Sequence, residues 1–123
     1  MSSLGKKGED LTADYYHKLG YKLVARNFVP PYGKQTGEID LICVKEKEII
    51  FIEVKTRSNE NFGGPFEAVD VNKRRRLVRT VKVFLSLYPQ YQTFDYSIDI
   101  AAVNIDNKLE PVIILKNAVE DLD

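Results

Sequence analysis

The sequence predicts an α/β domain, a central mixed β-sheet flanked by α-helices, and three observations predict it. Apolar residues recur at helical spacing in two separate stretches, residues 8–19 and about 71–88. Five short runs rich in Ile, Val, Leu and Phe, bounded by Gly, Pro and polar turns, read as strands. The order is α, β, β, β, α, β, β, which builds one sheet with a helix on each face or both helices on one. At 123 residues the chain suits a single domain, and no repeat, low-complexity run or linker divides it. That domain has its core at about residues 5–116 and ends in an acidic tail that includes Glu120, Asp121 and Asp123.

Each element has its own warrant. In "GEDLTADYYHKL" Leu11, Tyr15, Tyr16 and Leu19 fall at helical spacing, and Gly20 is a natural stop. "YKLVARNF" follows as a strand, and "VPPYGKQTG" is a loop, since its prolines and glycines continue neither a helix nor a central strand. Residues 38–44 and 49–56 are two strands joined by the polar "KEKE", most economically a hairpin. "SNENFGGPFEAVD" is a second loop. The second helix runs from about Val71 to Tyr88, with Leu77, Val78, Val81, Phe84, Leu85 and Tyr88 on its apolar stripe and Pro89 to end it. "FDYSIDIAAVNI" and "PVIIL" supply the last two strands around an "IDNK" turn.

Lysine and arginine total 18, as do aspartate and glutamate, so net charge says nothing about an anionic partner and distribution must. Lys73, Arg74, Arg75, Arg76, Arg79 and Lys82 gather with no acid among them. On the second helix Arg75, Arg76 and Arg79 point away from the apolar stripe, Lys82 lies near its edge, Arg74 falls within it and Lys73 at its opposite margin. A solvated basic face is the ordinary account; a nucleic-acid-binding surface that tracks phosphates is the functional one. Cys43, alone and in an apolar run, excludes an internal disulfide and a cysteine-rich zinc site and reads as a structural thiol. His17 sits in ordinary helical surroundings, and "FGGP" lacks the strand-to-helix context of a phosphate-binding loop. Tyr32 in "PPYGK" is a candidate for stacking on an unpaired base. "MSSLGKKGEDL" contains no apolar stretch resembling a signal peptide, and no run approaches the roughly 20 apolar residues of a membrane span, so a soluble, cytoplasmic protein is expected.

"GEIDLICVKEKEIIFIEVKTR" sets Glu38, Asp40, Glu53, Lys55 and Arg57 inside two of the most apolar runs in the chain. A two-residue turn at Glu46 and Lys47 fixes a register. One face then carries Val44 opposite Ile49, Ile42 opposite Phe51, Asp40 opposite Glu53 and Glu38 opposite Lys55. The other carries Cys43 opposite Ile50, Leu41 opposite Ile52 and Ile39 opposite Val54, and both faces are apolar enough at the turn end to be covered. Asp40 and Glu53 would share a rung, their Cβ atoms about 4.5–5.5 Å apart. Carboxylates so close need a proton, a cation or basic neighbours. A salt-bridged lattice with Lys55 and Arg57 would satisfy them. So would a hard cation, because two carboxylates and a backbone carbonyl suit Mg²⁺ or Mn²⁺, which keeps several waters and completes its coordination with substrate phosphate. Lys55, on the same face two residues beyond Glu53, would orient an attacking water or offset charge on the phosphoryl oxygens. These are the parts for phosphodiester hydrolysis.

An acidic residue followed across a hairpin by Glu-x-Lys resembles the PD-(D/E)XK nuclease superfamily, here in "GEID" and "EVK". More of the chain resembles the YraN family of small bacterial endonuclease-like proteins. The resemblance lies in "GEDLTADYYHKLGYKLVARNF", "GEIDLI", "FIEVKTR", a Gly-Pro loop leading to "EAVDVNKRRRL", and "SIDIAAV", spanning about Gly5 to Val103. It implies a restriction-endonuclease-like fold related to archaeal Holliday-junction resolvases. It further implies Asp40, Glu53 and Lys55 as the catalytic set, Mg²⁺ or Mn²⁺ as cofactor on Asp40 and Glu53, and Glu9 of the first "GE" as an additional carboxylate on the metal side. Read from the residues alone, Glu9 is an ordinary acid in a first helical turn. Three positions depart from the family's pattern: Thr12 and Tyr16 replace its usual Ala and Leu, and Ser97 stands where Arg often precedes the pair formed here by Ile98 and Asp99. The expectation is a metal-dependent endonuclease acting on DNA, with branched recombination or repair intermediates among its substrates. A catalytically silent DNA-binding module of the same fold is the alternative. Resolvase-like enzymes act as dimers, so a homodimer is also implied, although no self-complementary surface is legible in the chain.

Overall fold

In the computed structural model, which describes residues 3–31, 37–57 and 71–119, the chain forms two long helices and one sheet. The elements are α1 (Leu4–Lys18), β1 (Lys22–Phe28), β2 (Ile39–Lys45), β3 (Glu48–Arg57), α2 (Val71–Leu87), β4 (Asp95–Asn104) and β5 (Val112–Leu115), with a turn of 3-10 helix at Pro89–Tyr91. The strands lie in chain order across the sheet, antiparallel except for β3 and β4, which run parallel. The parallel step follows from α2, because a tight turn cannot join parallel strands whereas a helical crossover returns the chain to the edge where β3 began. This is the α/β architecture of a restriction-endonuclease-like fold.

One helix covers each face. Leu77, Val78, Val81 and Phe84 of α2 pack with Ile42, Ile49, Phe51, Ile98 and Ile100. On the other side Tyr16 of α1 packs with Leu41, Cys43, Ile50, Ile52 and Ala101. The middle strands are therefore buried on both faces, which is why their sequences are apolar at consecutive positions.

α1 begins earlier than the expected 8–19 because Ser3 caps it, its Oγ accepting the Lys6 N–H at 3.1 Å. Its inward stripe is Gly8, Thr12 and Tyr16, while Leu11 and Tyr15 are half-buried and Leu19 is exposed. Close approach is the reason: a Cβ at Gly8 would overlap Thr56 Oγ1 on β3 and lie 2.9 Å from its Cβ. Only glycine fits at position 8. Thr12 satisfies its hydroxyl within the helix, donating to the Gly8 carbonyl at 2.8 Å.

α2 buries Leu77, Val78, Val81 and Phe84 as expected, whereas Tyr88 lies past its end and is exposed. Arg74, expected in the stripe, is exposed, since burial along this face begins only at Leu77. Thr80 is buried as well: its Oγ1 donates to the Arg76 carbonyl at 2.8 Å and accepts the Gly37 N–H at 3.1 Å, pinning the chain just before β2.

The hairpin keeps the expected register from Lys45 and Glu48 to Leu41 and Ile52, turning through Glu46 at φ 54°. Beyond Leu41 it departs from expectation. Asp40 with Glu53, Ile39 with Val54 and Glu38 with Lys55 fall outside the paired register, and Ile39 joins the cluster under α2. β2 stays with β1 out to the pair Ile39 and Phe28, while β3 follows β4 to the pair Arg57 and Asn104. Each strand tracks its outer neighbour, so the hairpin opens like a fork.

Candidate active site

Asp40 and Glu53 sit in the mouth of that fork. The Val54 N–H, which a continuing ladder would use, donates instead to Asp40 Oδ2 at 2.8 Å. Alternation along β3 turns Phe51, Glu53 and Lys55 toward α2. Glu53 is 6 % exposed, and its Oε2 receives Lys73 Nζ from the first turn of α2 at 2.6 Å and Lys55 Nζ at 3.8 Å. Of the lattice the sequence suggested, the Lys55 contact forms, but the tighter partner is Lys73, which comes from another element.

Burial pushes the Asp40 carboxyl up to about 7, the Glu53 charge adds to it, and the Val54 N–H opposes both. Burial, and then the Lys73 ammonium beside it, hold Lys55 below its ordinary value. For Lys73 burial is the largest influence and acts downward, but the bond to Glu53, the contact with Lys55 and the charges of Glu53 and Asp40 together outweigh it, and the ammonium is held above its usual value.

Glu9 is within electrostatic reach, its charge being one of those that raise Asp40. Its Oε1 is engaged elsewhere, by Arg26 Nη2 at 3.3 Å and Asn27 Nδ2 at 3.4 Å. On α2, Arg74, Arg75, Arg76 and Arg79 are exposed and Lys82 is half-buried. Lys73, read from the sequence as one of the basic residues of a nucleic-acid-binding surface and, with Arg74, as the pair nearest the site, has its ammonium on Glu53. Burial pushes the Cys43 thiol up to about 12, which fits a structural role. Tyr32 lies outside the described residues.

The sequence reading missed one buried acid. Asp99 is 1 % exposed and accepts from Tyr16 Oη at 2.9 Å, Ser97 Oγ at 3.2 Å and the Asn117 N–H at 2.9 Å. Tyr16 and Ser97, two of the three departures from the family pattern, thus converge on one carboxylate and tie α1 to β4. An aspartate inside the apolar run "SIDIAAV" was the available signal.

Among the described residues no three His, Cys, Asp or Glu side chains form a group able to hold a metal ion. Asp40 and Glu53 offer two hard oxygen donors, and the Asp40 carboxyl is raised by burial first and by the Glu53 charge second. That set fits Mg²⁺ or Mn²⁺, which needs one or two protein carboxylates, and does not fit zinc.

Fold and site together define an α/β protein of restriction-endonuclease-like fold with paired acids and lysines at the open end of its central hairpin. A family model described as "Uncharacterised protein family UPF0102" matches residues 8–103, and the chain belongs to this family, the YraN family that its motifs resemble. A UPF0102 protein of Chloroherpeton thalassium is 39% identical over 104 residues, covering 85% of this chain and 77% of that one. One of Caldanaerobacter subterraneus subsp. tengcongensis is 42% identical over 92 residues, covering 73% and 72%. Another, of Dictyoglomus thermophilum, is 43% identical over 83 residues, covering 68% and 67%. No helix among the described residues is long and apolar enough to cross a membrane.

Proposed function

We propose that the chain is a Mg²⁺- or Mn²⁺-dependent deoxyribonuclease that hydrolyses DNA phosphodiester bonds, with branched, flapped, single-stranded and duplex DNA as the candidate substrate forms. The observation that supports this reading is the buried Glu53 carboxylate beside Asp40, with Lys55 and Lys73 converging on it beneath the basic start of α2. Asp40 and Glu53 would hold the ion, which when bound supplies a polarised phosphoryl oxygen and a more acidic water. The Val54 N–H fixes the direction of the Asp40 carboxyl. Lys55, its ammonium weakened by burial, is suited to orient the attacking water and exchange a proton with it. Glu9 of α1, braced by Arg26 of β1, adds negative charge that Asp40 feels. Arg75, Arg76 and Arg79 would run along the DNA phosphates.

The test is cleavage of a labelled four-way junction, flap, single strand and plain duplex in Mg²⁺, Mn²⁺ or EDTA. Asp40→Ala, Glu53→Ala and Lys55→Ala are each expected to abolish metal-dependent cutting while the thermal melt stays nearly intact or rises. If every substrate survives uncut in every condition, the proposal fails.

One observation favours a second reading. Lys73 already neutralises Glu53 at 2.6 Å, as it would in a DNA-binding module with no need of a metal. Gel shifts without hydrolysis, unaffected by substitution of Glu53, would support the module.

A further inference from the structure

Glu53 needs a counter-charge whether or not a metal is present. Its side chain is 8 % exposed, and a carboxylate so enclosed is destabilising unless a cation meets it. Lys55 reaches it at 3.8 Å from the same strand, a loose contact. Lys73 reaches the same oxygen at 2.6 Å from a different element, and its side chain is still 33 % exposed, so a path to water stays open. The close ammonium therefore sits on the carboxylate oxygen that a hard cation would bind at about 2.0–2.1 Å. One oxygen flanked by a monovalent and a divalent cation at such separations would place the two positive charges against each other.

Building on the reading of Asp40 and Glu53 as a cation site, we infer that Lys73 is a displaceable counter-ion, holding Glu53 in the metal-free protein and leaving it when a divalent ion enters. The device has two effects. It keeps a buried acid paired when no metal is bound, and it raises the metal concentration at which the site fills. Once displaced, the Lys73 ammonium joins the exposed Arg74, Arg75 and Arg76 on the first turns of α2, so filling the site adds a cation to the basic face.

Calorimetric titration of Mn²⁺ at pH 8 into the unaltered protein, Lys73→Met and Glu53→Gln tests this, with far-ultraviolet circular dichroism to verify folding. Lys73→Met is expected to bind Mn²⁺ at least tenfold more tightly than the unaltered protein, and Glu53→Gln more weakly. Equal or weaker binding by a folded Lys73→Met would overturn the counter-ion role while leaving the cation site standing. Absence of binding to both the unaltered protein and Lys73→Met would remove the cation site, and the inference with it. A second measurement needs no loss of charge. In protein carrying ¹³C-lysine, with the Lys73 Cε–Hε resonance assigned through Lys73→Arg, Mg²⁺ titration is expected to move that resonance toward the position of the exposed Lys108. A Lys73 resonance that stays fixed while the Val54 amide shifts with Mg²⁺ would equally sink the proposal.

Discussion

Asp40 has its carboxyl at about 7 against an ordinary 3.8, first because it is buried and then because Glu53 is charged. Between those two values the native chain holds a proton there that the unfolded chain has released. The stabilisation from the protonated form is complete below the unfolded value and is lost as pH rises through about 7. Asp40→Asn keeps an oxygen to accept the Val54 N–H and cannot ionise. Thermal melts across pH are expected to show its Tm at least about 4 °C above the unaltered protein at pH 8, with the gap narrowing as pH falls below 7 and closing only below the ordinary 3.8. At this scale much was legible in the sequence: Asp40, Glu53 and Lys55 stand out because strand alternation puts charges where apolar residues are expected. The grip of Lys73 on Glu53 was not, because it depends on where α2 crosses the sheet, a distance that no spacing along the chain encodes.

Between elements, two contacts hold the helices in position. Gly8 lets α1 lie against Thr56 of β3, and the added methyl of Gly8→Ala would meet a branched side chain on a central strand. Overpacking of this kind costs about 1–3 kcal/mol, against a gain in helix propensity of up to about 1 kcal/mol. Gly8→Ala is expected to lower the urea midpoint and Thr56→Ala to restore part of it; additive losses would refute the contact. Thr80 ties α2 to the approach of β2. Thr80→Val keeps the shape but strips the Gly37 N–H of its acceptor, so a loss of about 1–3 kcal/mol in urea unfolding is expected. The hairpin register could be written down beforehand because a short polar turn and a period of two leave little freedom. Its forking could not, since that is imposed by β1 and β4. Of the inward stripe of α1 only Tyr16 was legible, because Gly8 and Thr12 are small or polar where an apolar pattern was sought.

For the molecule as a whole, a balanced charge total conceals a polarised surface, with the exposed arginines of α2 beside the buried Glu53 and half-buried Asp40. Nuclease and binding module alike would meet DNA through that face. Reversing Arg75, Arg76 and Arg79 to Glu is expected to reduce the slope of log affinity against log salt by about 2–3, near 0.9 for each phosphate that is no longer neutralised. Fluorescence anisotropy at several salt concentrations reads it, and an unchanged slope would move the DNA surface elsewhere. The fork has one more consequence. Val54 belongs to the central strand, flanked by β2 and β4 and covered by both helices, yet its N–H points at a carboxylate that titrates near 7 instead of at a backbone carbonyl. Ionised carboxylates are the stronger acceptors. Its amide proton is therefore expected to move downfield as Asp40 loses its proton, a gauge of the site's charge built into the sheet and readable without substrate or substitution.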